Sequence, residues 1–345
     1  MDKNQPNADT NPSGNNKGNS ATSMVEESEN LDRLQNFPIS FFAIIMGLSG
    51  FTIAWEKAAH LMQTHVFFDA LSAWGTLLAF LIISGLYINK ILIYPEAVTA
   101  ELKHPVKLSF FPAASIGLLL ISVAMVNRAE ALSHVLWFLG TLFHFVLFLY
   151  VVNSWMHHEH YQITHISPAW FIPAVGNVLI PIVGMHFGYV EVSWFFFSIG
   201  IIFWIILFTL FFNRILFHNP MPKHLVPTLF ILIAPPAVGF ISYVKLNGGL
   251  DNFAHILYYI ALFLTFSLFT QFKQFATLPF FLSWWAYSFP ISAITIASFL
   301  MYSLTHNIMF ATIGGILLAI LTAIIALLVF KTYKAISMKK VCVES

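Results

Sequence analysis

The residues that could do chemistry in this chain fall into three groups: histidines, lysines, and one phenylalanine–proline pair inside an apolar run. The string His157-His158-Glu159-His160, with His165 close behind, holds the ligand types of a zinc or iron centre. On a helix, adjacent residues point about 100° apart, so the string offers no i,i+4 metal pair. It follows an apolar span and reads as a solvated loop. His144 and His157 lie thirteen residues apart, a spacing that stacks two haem levels on one helix. The remaining axial ligands would need a second helix with the same pair, and the sequence has none. His144, His186 and His255 read as hydrogen-bonded or interfacial histidines. The sequence thus assigns no catalytic residue, no metal ligand and no cofactor, and an enzyme is not the expectation.

What remains is passage across a membrane. The stretch Phe281 to Leu300 is apolar and long enough to cross a bilayer, yet Pro290 sits inside it, directly after Phe289. A proline removes a helix hydrogen bond, and in lipid the freed group needs protein or a water-lined cavity. A broken helix of this kind predicts a pathway wall, with Phe289 beside the break.

The elements that must position this pair follow from composition. The chain has 345 residues, 58% hydrophobic and 9% charged, with mean hydropathy +0.79. Soluble domains are about 25% charged, so the expectation is an all-α polytopic membrane protein. The net charge of +1 and the lack of a basic aromatic stripe give no basis for a nucleic-acid partner. Residues 1–36 are polar and read as a disordered cytoplasmic tail rather than a signal peptide. Residues 37–335 form the expected ten-helix domain, and 336–345 a short cytoplasmic tail. The single cysteine, Cys342, excludes an intramolecular disulfide.

Ten spans are predicted near Pro38–Trp55, Asp69–Leu86, Val106–Val126, Ala131–Asn153, Pro168–His186, Val192–Phe212, Leu225–Val244, Phe253–Phe272, Leu278–Leu300 and Ile308–Phe330. With an even number of spans both termini share one side. That side collects thirteen of the sixteen Lys and Arg residues, the other only Lys57, Arg128 and Lys245. The asymmetry predicts cytoplasmic termini.

Eleven of the sixteen prolines fall in or at the start of the odd-numbered spans, and none in the even-numbered ones. Candidate breaks are Pro112, Pro173, Pro235 with Pro236, and Pro290; the first span has Gly47 and Gly50 instead. The pattern reads as five parallel repeats of a helical hairpin. Five kinked odd helices would surround a central pore, and five unbroken even helices would face lipid. No Asp, Glu, Lys or Arg sits at the centre of any span, so the predicted pathway is neutral, with hydroxyls such as Ser115, Ser292 and Thr295. Lys103, Lys107, Lys223 and Lys273, at the starts of odd helices, would form a basic mouth that concentrates anions.

Four strings carry a family likeness. They are His104-Pro-Val-Lys-Leu-Ser-Phe-Phe, Pro168-Ala-Trp-Phe-Ile-Pro-Ala-Val-Gly-Asn, Leu232-Ile-Ala-Pro-Pro-Ala-Val and Trp284-Trp-Ala-Tyr-Ser-Phe-Pro. In these the chain resembles the tellurite-resistance and C4-dicarboxylate transporter family, which includes the plant guard-cell slow anion channels. The resemblance covers about residues 37–335. It implies a homotrimer of ten-helix protomers, each with its own pore for small monovalent anions such as chloride and nitrate. It also implies that Phe289 plugs that pore. Ile45-Met46-Gly47 lacks a proline that some relatives have. The alternative expectation is a secondary transporter or exporter of tellurite or C4-dicarboxylates. The expected location is a plasma membrane, with a bacterial inner membrane as the specific case. Small inorganic anions and membrane lipids are the expected partners.

Overall fold

The computed structural model describes residues 33–63, 67–157 and 161–342. Among them there is no strand. The ten spans are α1 (Phe42–Leu61), α2 (Phe67–Ile93), α3 (Pro112–Met125), α4 (Glu130–His157), α5 (Phe171–Gly184), α6 (Val190–Phe217), α7 (Ala234–Asn247), α8 (Asn252–Phe269), α9 (Ser288–Thr305) and α10 (Ile308–Ser337). With the 3-10 turns that precede the odd helices included, nine of the spans among the described residues are long and apolar enough to cross a membrane, and the fifth, Pro168–Gly184, is a shorter apolar one.

The odd helices close a ring. Helix α1 packs on α3, α3 on α5, α5 on α7, α7 on α9, and α9 returns to α1. Each even helix lies outside, in the groove between its own hairpin partner and the next odd helix. Burial follows this order. In the odd spans long enough to compare, 67–89% of the most apolar stretch is buried, against 28–44% in the even spans. An outer helix that faces lipid must satisfy all its backbone groups internally, which explains why the even spans carry no proline.

The odd spans are built in two parts. Helices α3, α5 and α7 have 14 residues each, about 21 Å of α-helix, short of the roughly 30 Å of a hydrocarbon core. Short 3-10 segments precede every odd helix: Ile39–Phe41, Lys107–Phe110, Pro168–Trp170, Lys223–Ile233 and Leu282–Tyr287. They supply the missing length at the end where the described chain begins and stops, the terminal face, where Asn36 and Cys342 line one groove.

This arrangement corrects the expected kinks. Pro112 is the first residue of α3, Pro173 the third of α5, Pro235 and Pro236 the second and third of α7, and Pro290 the third of α9. The first-turn N–H groups have no partner inside a helix, so a proline there costs no bond. The prolines mark the change from 3-10 to α rather than a break in an α-helix. Among the described residues, only Pro181 sits inside an α-helix.

Gly47 is corrected in a different way, because α1 runs through it unbroken. A Cβ on Gly47 would lie 2.1 Å from Ser288 Oγ, and one on Gly50 2.8 Å from Ser292 Cβ. The two glycines let α1 approach α9 closely, as small residues do between membrane helices, and so close the ring.

Polar side chains tie the two layers together. Trp137 Nε1 donates to the Ile180 carbonyl at 2.9 Å, and Trp285 Nε1 to Thr332 Oγ1 at 2.9 Å. His144, fully buried, bridges Ser115 Oγ at 2.9 Å and the Pro173 carbonyl at 3.1 Å, joining α4 to α3 and α5. At the terminal face, Lys90 is 1% exposed. It pairs with Glu101 at 3.1 Å and donates to the Phe37 carbonyl at 2.9 Å. Tyr87 donates to the same carboxylate at 2.7 Å. This network fixes the end of α2 to the short helix Pro95–Lys103 and to the start of the first span.

Candidate functional site

The ring encloses two cavities on its axis, and one side chain belongs to the wall of both. The larger, about 180 Å³, opens towards the face away from the termini. The smaller, about 30 Å³, lies on the terminal side. Phe289 lines each of them and is 5% exposed. It stands in the first turn of α9, where the change from 3-10 to α sets its direction. Gly50 of α1 packs beside its ring, where a Cβ would meet Phe289 Cδ2 at 3.5 Å, an ordinary contact.

All five odd helices contribute a stripe to the larger cavity. Helix α1 gives Gly50 and Ile53, α3 Leu120 and Val123, α5 Leu179 and Ile182, α7 Val238 and Ile241, and α9 Phe289, Ala293 and Ile296. Within each helix these positions are three or four residues apart, one face of an α-helix. The wall is therefore apolar along its length. Polar groups gather only at its outer rim: Glu56, Lys57, Asn127, His186 and Lys245. Glu56 accepts from Arg128 Nη1 and from Asn127 Nδ2, both at 2.9 Å. Its charge is offset by Arg128, which leaves Lys57 and Lys245 as the excess charge at the rim. A cationic rim over an apolar wall raises the local concentration of anions.

Of the sequence-predicted site residues, Phe289 and Pro290 line the axis. Gly47, Pro112, Pro173, Pro235 and Pro236 stand behind the wall and shape it. Ser115, Ser292 and Thr295, expected as pathway hydroxyls, are not part of the wall. Each donates to a carbonyl of its own helix: Ser115 to Pro112, Ser292 to Ser288 and Thr295 to Ile291. In an apolar wall a hydroxyl is best satisfied by the helix backbone three or four residues back. Lys103, Lys107, Lys223 and Lys273 are exposed on the terminal face, and none borders an axial cavity. Lys107 instead lines a groove beside α10.

The sequence reading overlooked Lys57 and Lys245 as rim residues, having counted them only for orientation. The signal was present in their positions, near the outer ends of α1 and α7 on the same faces as the wall stripes. Of the histidines raised from the sequence, His144, His157, His165, His186 and His255 have protein partners. His144 has both ring nitrogens engaged, and a Cβ on Gly176 would come within 2.0 Å of its ring, leaving no room for a haem. His165 Nδ1 accepts from the Gln162 N–H at 3.1 Å. His158, Glu159 and His160 lie outside the described residues.

A closed ring of five two-part helices, sheathed by five unbroken ones, with two axial cavities that share Phe289 as a wall, defines an all-α multi-pass membrane protein. Comparison with known proteins then gives the family. The chain belongs to the SLAC1 voltage-dependent anion channel family, whose family model matches residues 36–333; this is a family of channels, not of enzymes. The chain is 31% identical over 305 residues to the S-type anion channel SLAH3 of Arabidopsis thaliana, covering 86% of this chain and 47% of that protein. It is 27% identical over 288 residues to the guard cell S-type anion channel SLAC1 of the same plant, covering 80% and 51%. It is also 25% identical over 263 residues to the tellurite resistance protein TehA homolog of Haemophilus influenzae, covering 74% and 78%. The chain spans about half the length of these plant relatives.

Proposed function

We propose that this protein is a passive channel for small monovalent anions such as chloride and nitrate, with one pore per chain, closed by Phe289. The observation that carries this reading is the position of Phe289 as the shared wall of both axial cavities. An apolar constriction of this kind excludes water and blocks an ion without any moving domain. Permeant selection then rests on the cationic rim and on the ease with which an anion sheds water in an apolar wall. Among small monovalent anions the more weakly hydrated pass more readily; divalent ones do not. Lys103, Lys107, Lys223 and Lys273 act at longer range by biasing the potential of the terminal face, which the basic asymmetry assigns to the cytoplasm. Residues 37–335 form the conducting unit, which assembles as a homotrimer in a plasma membrane, in a bacterium the inner one.

A second reading is a coupled exporter of tellurite or a C4-dicarboxylate. The likeness to a tellurite resistance protein favours it. Coupling usually needs an ionisable group inside the membrane, and the ionisable groups along the larger cavity are confined to its rim. Reversal potentials measured in imposed anion gradients separate the two readings. The channel reading expects passive, Nernstian shifts for chloride and nitrate. A potential that tracks a proton or sodium gradient instead would overturn it.

A further inference from the structure

On the terminal half of the molecule, away from the axis, an apolar groove of about 530 Å³ lies between α8 and α10. Its walls include Phe269 of α8, Phe272 of the short helix Phe272–Ala276, and Ile324 and Leu327 of α10. Phe272 and Leu327 are exposed. The floor is the 3-10 segment Leu282–Tyr287, which contributes Trp284 and Tyr287. Trp284 Nε1 and Tyr287 Oη are both buried and have no hydrogen-bond partner. With those polar atoms buried, the rings of Trp284 and Tyr287 give the groove an apolar floor.

The groove does not end in bulk apolar surface. Lys331 is on its wall and also on the wall of a basic groove of about 770 Å³ that includes Lys107, Lys334 and Lys340. The two grooves share one face of α10, running through Ile320, Ala323, Leu327, Lys331 and Lys334 at three- or four-residue steps. Among the described residues these four lysines form no ion pair, because the one acid on the wall, Glu101, is held by Lys90. The surface is therefore apolar at membrane depth and strongly cationic where the helix leaves the membrane.

We propose that this composite surface binds an anionic phospholipid of the leaflet nearest the termini. One acyl chain lies along α10 against the rings of Trp284 and Tyr287, and the phosphate sits on Lys331 and Lys334. A soluble phosphate would satisfy the lysines but leave the apolar groove unfilled. The Leu282–Tyr287 segment leads directly into the turn that holds Phe289, so the lipid buttresses the wall on which the constriction stands. The proposal rests on the membrane topology and is independent of what the conduit carries.

The test uses the full chain in phosphatidylcholine nanodiscs doped with a phosphatidylglycerol that carries a diazirine on one acyl chain. After photolysis, labels are mapped by mass spectrometry. Labelling is expected on the groove walls of α8 and α10. Lys331→Gln with Lys334→Gln should reduce it about tenfold or more, because each basic residue near the surface contributes severalfold to anionic-lipid binding. Lys273→Gln, on the same face but off the groove, should leave it unchanged. Ala323→Trp, which fills the groove and keeps the lysines, should also abolish labelling while the protein stays monodisperse. Equal labelling by the matching phosphatidylcholine probe, or no loss in the double lysine variant, would overturn the proposal. So would full protection by soluble glycerol phosphate, or cross-links showing that a second copy of the chain covers the groove.

Discussion

Replacing Phe289 with alanine tests the constriction most directly, and the structure sets the scale of the effect. The cavities on either side measure about 180 and 30 Å³. At about 30 Å³ per water they would hold roughly six waters and one. Phe289 lines both cavities, so removal of its ring should join them into a wet path. Phe→Ala in a filled core costs about 3–5 kcal/mol. Here the ring borders empty space on two sides, so the loss should fall at the low end and leave the protein inserted. The gain is kinetic. Lowering the barrier at an apolar constriction by about 3 kcal/mol raises the passage rate about 100-fold, at roughly 1.4 kcal/mol per tenfold. The assay is anion current per correctly inserted chain in oocytes or planar bilayers. Phe281→Ala serves as the control, because Phe281 lines the basic groove rather than either axial cavity. Phe289→Ala should give large anion currents and Phe281→Ala wild-type ones. Unchanged or smaller currents from well-expressed Phe289→Ala would refute the reasoning and leave Phe289 as a packing residue.

Three further outcomes follow from the geometry. Gly47→Ala forces a Cβ against Ser288 Oγ at the seam between α1 and α9; overpacking there should cost about 1–3 kcal/mol, read as a lower unfolding temperature in detergent, while Gly75→Ala, where a Cβ meets nothing within 4 Å, should cost little. Neutralising Lys57 and Lys245 together should lower single-channel conductance severalfold in dilute salt and much less at physiological ionic strength, where the screening length is about 8 Å; neutralising Lys103, Lys107 and Lys273, which border no axial cavity, should have a smaller effect of the same kind. Lys90→Met leaves the Glu101 carboxylate buried with only Tyr87 for a partner, which should cost about 3–5 kcal/mol and show as reduced yield of folded protein; Lys90→Met with Glu101→Leu should recover most of it.

Much of this protein was legible in its sequence because a bilayer imposes strict rules on a chain. Apolar run length gave ten spans, and their even number put both ends of the helical domain on one side. The restriction of prolines to odd spans gave the inner and outer layers, since a lipid-facing helix cannot leave backbone groups unpaired. Phe289 could be singled out from its place before Pro290 and from the family likeness. Three-dimensional facts were not legible. That Pro112, Pro173 and Pro290 open α-helices rather than break them depends on the 3-10 segments before them, which hydrophobic patterning does not distinguish from α-helix. Gly47 looked like a hinge because a sequence cannot tell a glycine that bends a helix from one that admits a neighbour; only the 2.1 Å approach of Ser288 decides it. The hydroxyls of Ser115, Ser292 and Thr295 turned away from the axis because rotation about each helix is fixed by packing against two neighbours. The same rotation placed Lys57 and Lys245 on the conduit rim and left Lys103, Lys223 and Lys273 off it, and brought Lys331 to the meeting point of two grooves. The sequence determined which segments cross the membrane and in what order; the tertiary structure decided which face of each one looks inward.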